Sequence, residues 1–90
     1  MAIDFSSINR IATDTDTGVT SVAIVPHVRA QAVDVYVTVA GTFKFHADDT
    51  AVILPATTWT RVWDKSSGLA TTPSITVALG SSGDVHARQS

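Results

Sequence analysis

The sequence contains no cysteine and no glutamate, and its 90 residues include only three leucines, Leu54, Leu69 and Leu79. Without cysteine, neither a disulfide framework nor a cysteine-based zinc site can form. Valine and threonine are abundant instead, and these β-branched side chains favour strands over helices. A chain of this length forms one domain with a modest core, so oligomerisation is a common source of further stability.

Strong charge and long apolar runs are also absent. The formal net charge is −2 and no basic stripe is present, which argues against a nucleic-acid partner. No apolar run approaches the length of a membrane span, so we expect no membrane partner. The opening MAIDFSSINR lacks an apolar signal core, which predicts a protein that stays in the cytoplasm until it assembles.

Apolar residues alternate with polar ones along most of the chain, which is the pattern of half-buried strands. The clearest case is AVDVYVTVAG, where Val33, Val35, Val37 and Val39 define one apolar face. Gly41 then marks either a tight turn or a bulge. Further strands are predicted in VTSVAIV (19–25), FKFHA (43–47), TAVILP (50–55), TTWTRVW (57–63), SITVALG (74–80) and DVHARQ (84–89), with a loop at KSSGLATTP and a turn at SSG.

Six to eight short strands between Gly, Pro, Ser and Asp clusters predict an all-β fold. We expect a small antiparallel β-sandwich or jelly roll, with a small barrel as the alternative. We expect residues 1–18 to form an extended N-terminal arm and residues 19–90 to form the domain. Phe5, Ile8 and Ile11 are three spaced apolar anchors in the arm, and we predict that they dock on a neighbouring subunit.

The stretch DTDTG places Asp14 and Asp16 two residues apart, with Gly18 following. A helix–loop–helix calcium site is excluded, because the glycine falls at the fifth position and Val25 occupies the twelfth. A looser calcium site and a solvated turn remain as interpretations, and the turn is favoured. No metal is therefore predicted here.

The stretch HADD brings His46, Asp48 and Asp49 within four residues, and His27 or His86 would have to supply a further metal ligand. A hairpin turn is favoured over a metal-dependent enzyme. The sequence also lacks a G-x-S-x-G elbow and a glycine-rich phosphate loop. We therefore predict no catalytic residues and no cofactor.

The stretch TWTRVWD is the most informative surface feature. At strand spacing Trp59, Arg61 and Trp63 share one face. Facing outward they would form an interface, since Trp and Arg are enriched at binding hot spots. Alternatively, one Trp is core and the other half-exposed with Arg61 lying across it. A platform for sugar rings is the third interpretation.

A short cysteine-free chain with a polar N-terminal stretch, valine–threonine strands and a segment such as AVILPATTWTRVW resembles the small virion proteins of tailed bacteriophages. The resemblance is strongest to capsid decoration or cement proteins and weaker to head–tail and tail accessory proteins. It implies a homo-oligomer, with a trimer favoured, that binds the major capsid protein or other virion subunits. It also implies a location in the virion. A carbohydrate-binding module using Trp59 and Trp63 is the alternative from another class.

Overall fold

The computed structural model describes residues 2–5, 12–45, 48–65 and 74–90. Within these ranges the chain is all-β, as predicted, and contains no α-helix. The sandwich or jelly-roll layering remains a prediction. The strands are β1 (Ala2–Asp4), β2 (Ala12–Val25), β3 (Ala32–Val37), β4 (Gly41–Lys44), β5 (Val52–Leu54), β6 (Thr60–Asp64) and β7 (Ile75–Gln89).

The two longest strands, β2 and β7, pair antiparallel along almost their whole length. Their register runs from Ala12 opposite Gln89 to Ile24 opposite Ile75, and it shifts on both sides of Val19. Gly18 lies at the first shift with a φ of 64°, a conformation that favours glycine. At the second shift Thr20 alone faces Leu79–Ser82. These bulges divide the β2–β7 ribbon into two halves.

Each half of the ribbon carries a different pair of strands. The half of β7 before the bulge pairs with β4, which pairs in turn with β5. The half after the bulge pairs with β3, which pairs with β6. On the opposite edge of β2, β1 pairs in parallel with Ala23–Val25. A single long strand therefore organises two separate strand pairs.

The core lies on the inward face of both halves. Val33, Val35 and Val37 of β3 are completely buried, so the predicted valine face is confirmed for these three residues. Val39 does not belong to it, because β3 ends at Val37. The other completely buried side chains are Ile3, Phe5, Ile24, Leu54, Ile75, Val77 and Val85.

Gly41 lies where the chain moves from one half of the ribbon to the other. Val37, the last residue of β3, pairs with Val85, whereas Gly41, the first residue of β4, pairs with Leu79. A Cβ on Gly41 would lie 2.9 Å from the Leu79 Cα and closer still to the Ala78 carbonyl oxygen. Glycine is needed because the two backbones approach too closely for any side chain.

Two predicted turns are wrong. Asp14–Thr17 belongs to β2, where each residue up to Asp16 pairs with β7. The SSG segment (81–83) belongs to β7, because the long partner strand lets the ladder continue past a bulge.

The N-terminal residues that the structure describes belong to the domain's own core. Besides the pairing of β1 with β2, Ile3 and Phe5 are both fully buried. The Phe5 amide donates a hydrogen bond to the Val25 carbonyl at 2.8 Å. This burial contradicts the predicted docking of Phe5 on a neighbouring subunit. The predicted boundary between residues 18 and 19 falls inside β2, while Ile8 and Ile11 lie outside the described residues.

Replacing Val37 by Asp should prevent folding, because the carboxylate would enter a completely buried site without a partner. Val35→Asp should behave in the same way. Urea titration followed by circular dichroism is the measurement. Val28→Asp is the control, because Val28 is 78% exposed and its replacement should change the unfolding free energy by less than about 0.5 kcal/mol. A native-like Val37→Asp protein would refute the assignment of this face to the core.

Replacing Phe5 by Ala should lower the unfolding free energy by about 3–5 kcal/mol, because it leaves a cavity in the core. Phe45→Ala is the matched control and should cost less, because Phe45 is only partly buried. Both values come from denaturant titrations. If Phe5→Ala is as stable as the wild type, Phe5 does not pack in the core and belongs to a mobile arm instead.

Candidate interaction surface

The outward face of β2, β7, β3 and β6 brings together polar and aromatic side chains from distant parts of the chain. Successive residues of a strand point to opposite sides of the sheet, so the residues between the buried ones face outward. The strand register then aligns them in two rows. One row contains Thr13, Arg88, Asp34 and Arg61, and the other contains Thr15, His86 and Tyr36.

Asp34 binds both arginines of the first row. Its Oδ1 accepts a hydrogen bond from Arg61 Nε at 2.9 Å, and its Oδ2 accepts from Arg61 Nη2 at 3.3 Å. The same Oδ2 accepts from Arg88 Nε at 3.2 Å. The carboxylate is only 13% exposed, whereas the two arginine side chains are 56% and 48% exposed. Asp34 therefore fixes two guanidinium groups on side chains that remain exposed.

The pKa of the Asp34 carboxyl reflects opposing effects. Partial burial alone would raise this pKa, but the hydrogen bonds and charges of Arg61 and Arg88 outweigh burial and lower it. The pKa of Arg61 is raised, mainly by its hydrogen bond to Asp34 and by the charge of that carboxylate. Both shifts show that the native structure favours the ionised forms of Asp34 and Arg61.

Trp59 lies just before β6 and is 41% exposed. The guanidinium carbon of Arg88 lies 4.2 Å from the centroid of its ring, a cation–π contact. The Tyr36 ring lies 5.6 Å from Trp59 and 5.7 Å from His86. Nδ1 of His86 is 2.9 Å from the Thr15 hydroxyl oxygen. We call the group formed by Asp34, Tyr36, Trp59, Arg61, His86 and Arg88 the Arg–Trp cluster.

The structure separates the two tryptophans. Trp59 and Arg61 both belong to the cluster, whereas Trp63 is only 4% exposed and packs in the core. A register shift between β3 and β6 explains this, because it places Trp63 opposite the buried Val33. Trp63 is therefore not an interface residue of this surface. Arg88, rather than Arg61, lies over the exposed indole.

Sequence reasoning missed four members of the cluster, namely Asp34, Tyr36, His86 and Arg88. Their signal was present, since Asp34 and Tyr36 alternate with the valines of β3 and the other two alternate with buried residues of β7. The alternation indicates which residues face outward. It does not indicate that β3 and β7 are neighbours or which residues pair.

The candidate metal ligands do not converge in the described part of the chain. Asp14 Oδ1 accepts a hydrogen bond from the Thr15 amide at 2.8 Å, and no group of three or more His or acidic side chains placed to hold a metal occurs among the described residues. His46 of the HADD stretch lies outside them. No helix in these ranges has the length and hydropathy to cross a membrane.

An open recess of about 360 Å³ lies beside the Arg–Trp cluster. Its lining comes from the ends of β2 and β7 and from β3, and it consists of Ala12, Thr13, Asp34, Arg88, Gln89 and Ser90. The cluster itself extends across the outward sheet face. The arrangement as a whole suits contact with a large, complementary surface.

Replacing Asp34 by Asn should destabilise the protein at neutral pH, and the loss should shrink as the pH falls. The native pKa of Asp34 lies below its ordinary value of 3.8. The ionised carboxylate therefore makes its full contribution to the unfolding free energy above pH 3.8, and this contribution disappears as the pH drops through the native pKa. Denaturant titrations of both proteins between pH 7 and pH 2 measure the difference. A stability difference independent of pH would contradict the ion-pair account.

Comparisons with protein-family models, with curated proteins and with solved structures found no match to this chain.

Proposed function

We propose that this chain is a structural assembly protein that joins other protein subunits by burying the Arg–Trp cluster. It acts by association and carries out no reaction. The sequence resemblance favours the shell of a tailed-phage virion as the setting, with a decoration or cement role. The partners are copies of this chain, a trimer being favoured, and the major capsid protein.

The exposed Trp59 within an ordered polar setting is the observation that supports this proposal. Tryptophan, tyrosine and arginine are the side chains that contribute most at protein interfaces, and this surface displays all of them. Asp34 and Trp59 together hold Arg88, and Asp34 holds Arg61. Because these contacts already restrict the side chains, association has less conformational entropy to remove.

Carbohydrate binding is the second candidate, and the exposure of Trp59 beside polar side chains favours it. The expected platform of two tryptophans does not form, because Trp63 is buried. Arg88 also covers one face of the Trp59 ring, and the Tyr36 ring lies 5.6 Å from it, so a sugar would have to use the part of the indole that stays exposed. Retention of the protein on immobilised polysaccharide, lost in Trp59→Ala, would support this candidate over assembly.

Replacing Trp59 by Ala should weaken assembly while the β-sheet circular dichroism signal persists. We expect a loss of at least about 2 kcal/mol of association free energy, roughly a 30-fold weaker contact, as for an interface hot spot. The measurements are sedimentation velocity of the purified chain and co-sedimentation with phage heads.

Trp63→Ala is the matched control. It should reduce the unfolding free energy by about 3–5 kcal/mol, because this ring is buried in the core. Unchanged association and particle binding in Trp59→Ala would reject the proposed assembly function of the cluster.

A further inference from the structure

The connection between β5 and β6 contains a residue in an unusual backbone conformation. Thr57 has a φ of 60°, and among the described residues it is the one non-glycine with a positive φ. The left-handed region is sterically unfavourable for a residue with a Cβ, and a β-branched residue is rare there. Such a conformation persists only where the surrounding structure holds it, and these outliers cluster at functional sites.

Thr57 is held by hydrogen bonds and not by core packing. The residue is exposed, so burial of its side chain does not offset the backbone strain. Its amide donates a hydrogen bond to the Val37 carbonyl at 2.8 Å, and its hydroxyl donates one to the Ala56 carbonyl at 2.7 Å. Val37 is completely buried at the end of β3, which gives the turn a fixed anchor.

The left-handed residue lies where the chain reverses its direction beside β3. Ala56 forms a parallel bridge with Val37, whereas Thr60 at the start of β6 pairs antiparallel with Val35. The reversal is therefore complete within residues 57–59. A residue with positive φ is a common means of turning a chain so tightly.

Trp59 is the last residue of this reversal. Its ring lies 5.6 Å from the Tyr36 ring, and the guanidinium carbon of Arg88 lies 4.2 Å from the centroid of the indole. Tyr36 directly precedes Val37, the anchor of the turn, in β3. The hydrogen bond from Thr57 to Val37 therefore ties the connection to β3 next to the residue on which Trp59 packs.

We propose that Thr57 is a positioning residue for Trp59. Its left-handed conformation, held at Val37, sets the indole against Tyr36 and Arg88. The inference rests on the proposed function, in which Trp59 makes the assembly contact. Glycine or asparagine would adopt the same conformation with less strain, so the role belongs to the backbone conformation at this position.

Two substitutions at Thr57 test this role in Trp63→Phe protein, where Trp59 is the one indole. Thr57→Asn keeps the left-handed conformation with less strain. The melting temperature should therefore rise by about 4–8 °C above that of the Trp63→Phe parent. Acrylamide quenching of Trp59 should stay at the parent value, as should association measured by sedimentation velocity and by co-sedimentation with phage heads.

Thr57→Pro forbids the left-handed conformation, because proline fixes φ at about −65° and lacks the amide that binds Val37. Quenching of Trp59 in the dissociated protein should rise toward that of a fully exposed indole. Association should weaken as it does in Trp59→Ala.

Thr58→Asn is the matched control, because Thr58 is exposed and does not have a positive φ. It should leave the melting temperature and the quenching unchanged. If circular dichroism shows that Thr57→Pro does not fold, Thr57→Val replaces it. Valine removes the hydroxyl bond to Ala56 and is as unfavourable in the left-handed region as threonine, so the same changes should occur at smaller size.

Other results would overturn the inference. If Trp59 is quenched equally in the parent and in Thr57→Pro or its replacement, Thr57 does not position the indole, and the proposed assembly function stands. Equal melting temperatures of Thr57→Asn and Thr58→Asn would show that Thr57 is not strained and would also reject the inference. If quenching rises in Thr57→Pro while association is unchanged, the positioning role stands and the assembly function of Trp59 is rejected.

Discussion

The antiparallel pairing of β2 with β7 is the constraint on which the rest of the structure depends. Its two strands contain 14 and 15 residues, and every other strand except β5 and β6 pairs directly with one of them. β5 and β6 attach through β4 and β3. The bulges around Gly18 and at Leu79–Ser82 interrupt the ladder without ending either strand. A turn at these positions would leave β3 and β4 without their common neighbour.

The same pairing creates the Arg–Trp cluster. Arg88 and Asp34 are 54 residues apart in the chain and meet because β7 and β3 pair in one particular register. A shift of one residue would turn Arg88 and His86 toward the core and the valines toward solvent. The burial of Val33, Val35 and Val37 therefore fixes the outward positions of Asp34 and Tyr36. Core packing and the interaction surface are two consequences of one register.

Strand positions and inward faces could be predicted from the sequence, because alternation reports burial directly. The continuity of β2 and β7 could not, because Asp, Ser and Gly are typical of turns and only a long partner strand keeps them in a ladder. Alternation leaves Trp63 with two interpretations, outward beside Trp59 or buried in the core, because the register shift between β3 and β6 that buries it cannot be recognised in the sequence. The sequence predicts an arm at Phe5, because the strand before this residue is short and its partner lies about 20 positions later in the chain. Nothing in the local pattern indicates that pairing.

The proposed role of the Arg–Trp cluster depends on whether Trp59 becomes covered when the protein assembles. The chain has two tryptophans, so Trp63→Phe leaves Trp59 as the only indole while keeping an aromatic ring in the core. Acrylamide quenching of its fluorescence can then be compared between dilute, dissociated protein and the assembled form. The account predicts efficient quenching in the dissociated protein and strongly reduced quenching after assembly. Equal quenching in both states would show that the exposed tryptophan is not part of the assembly contact.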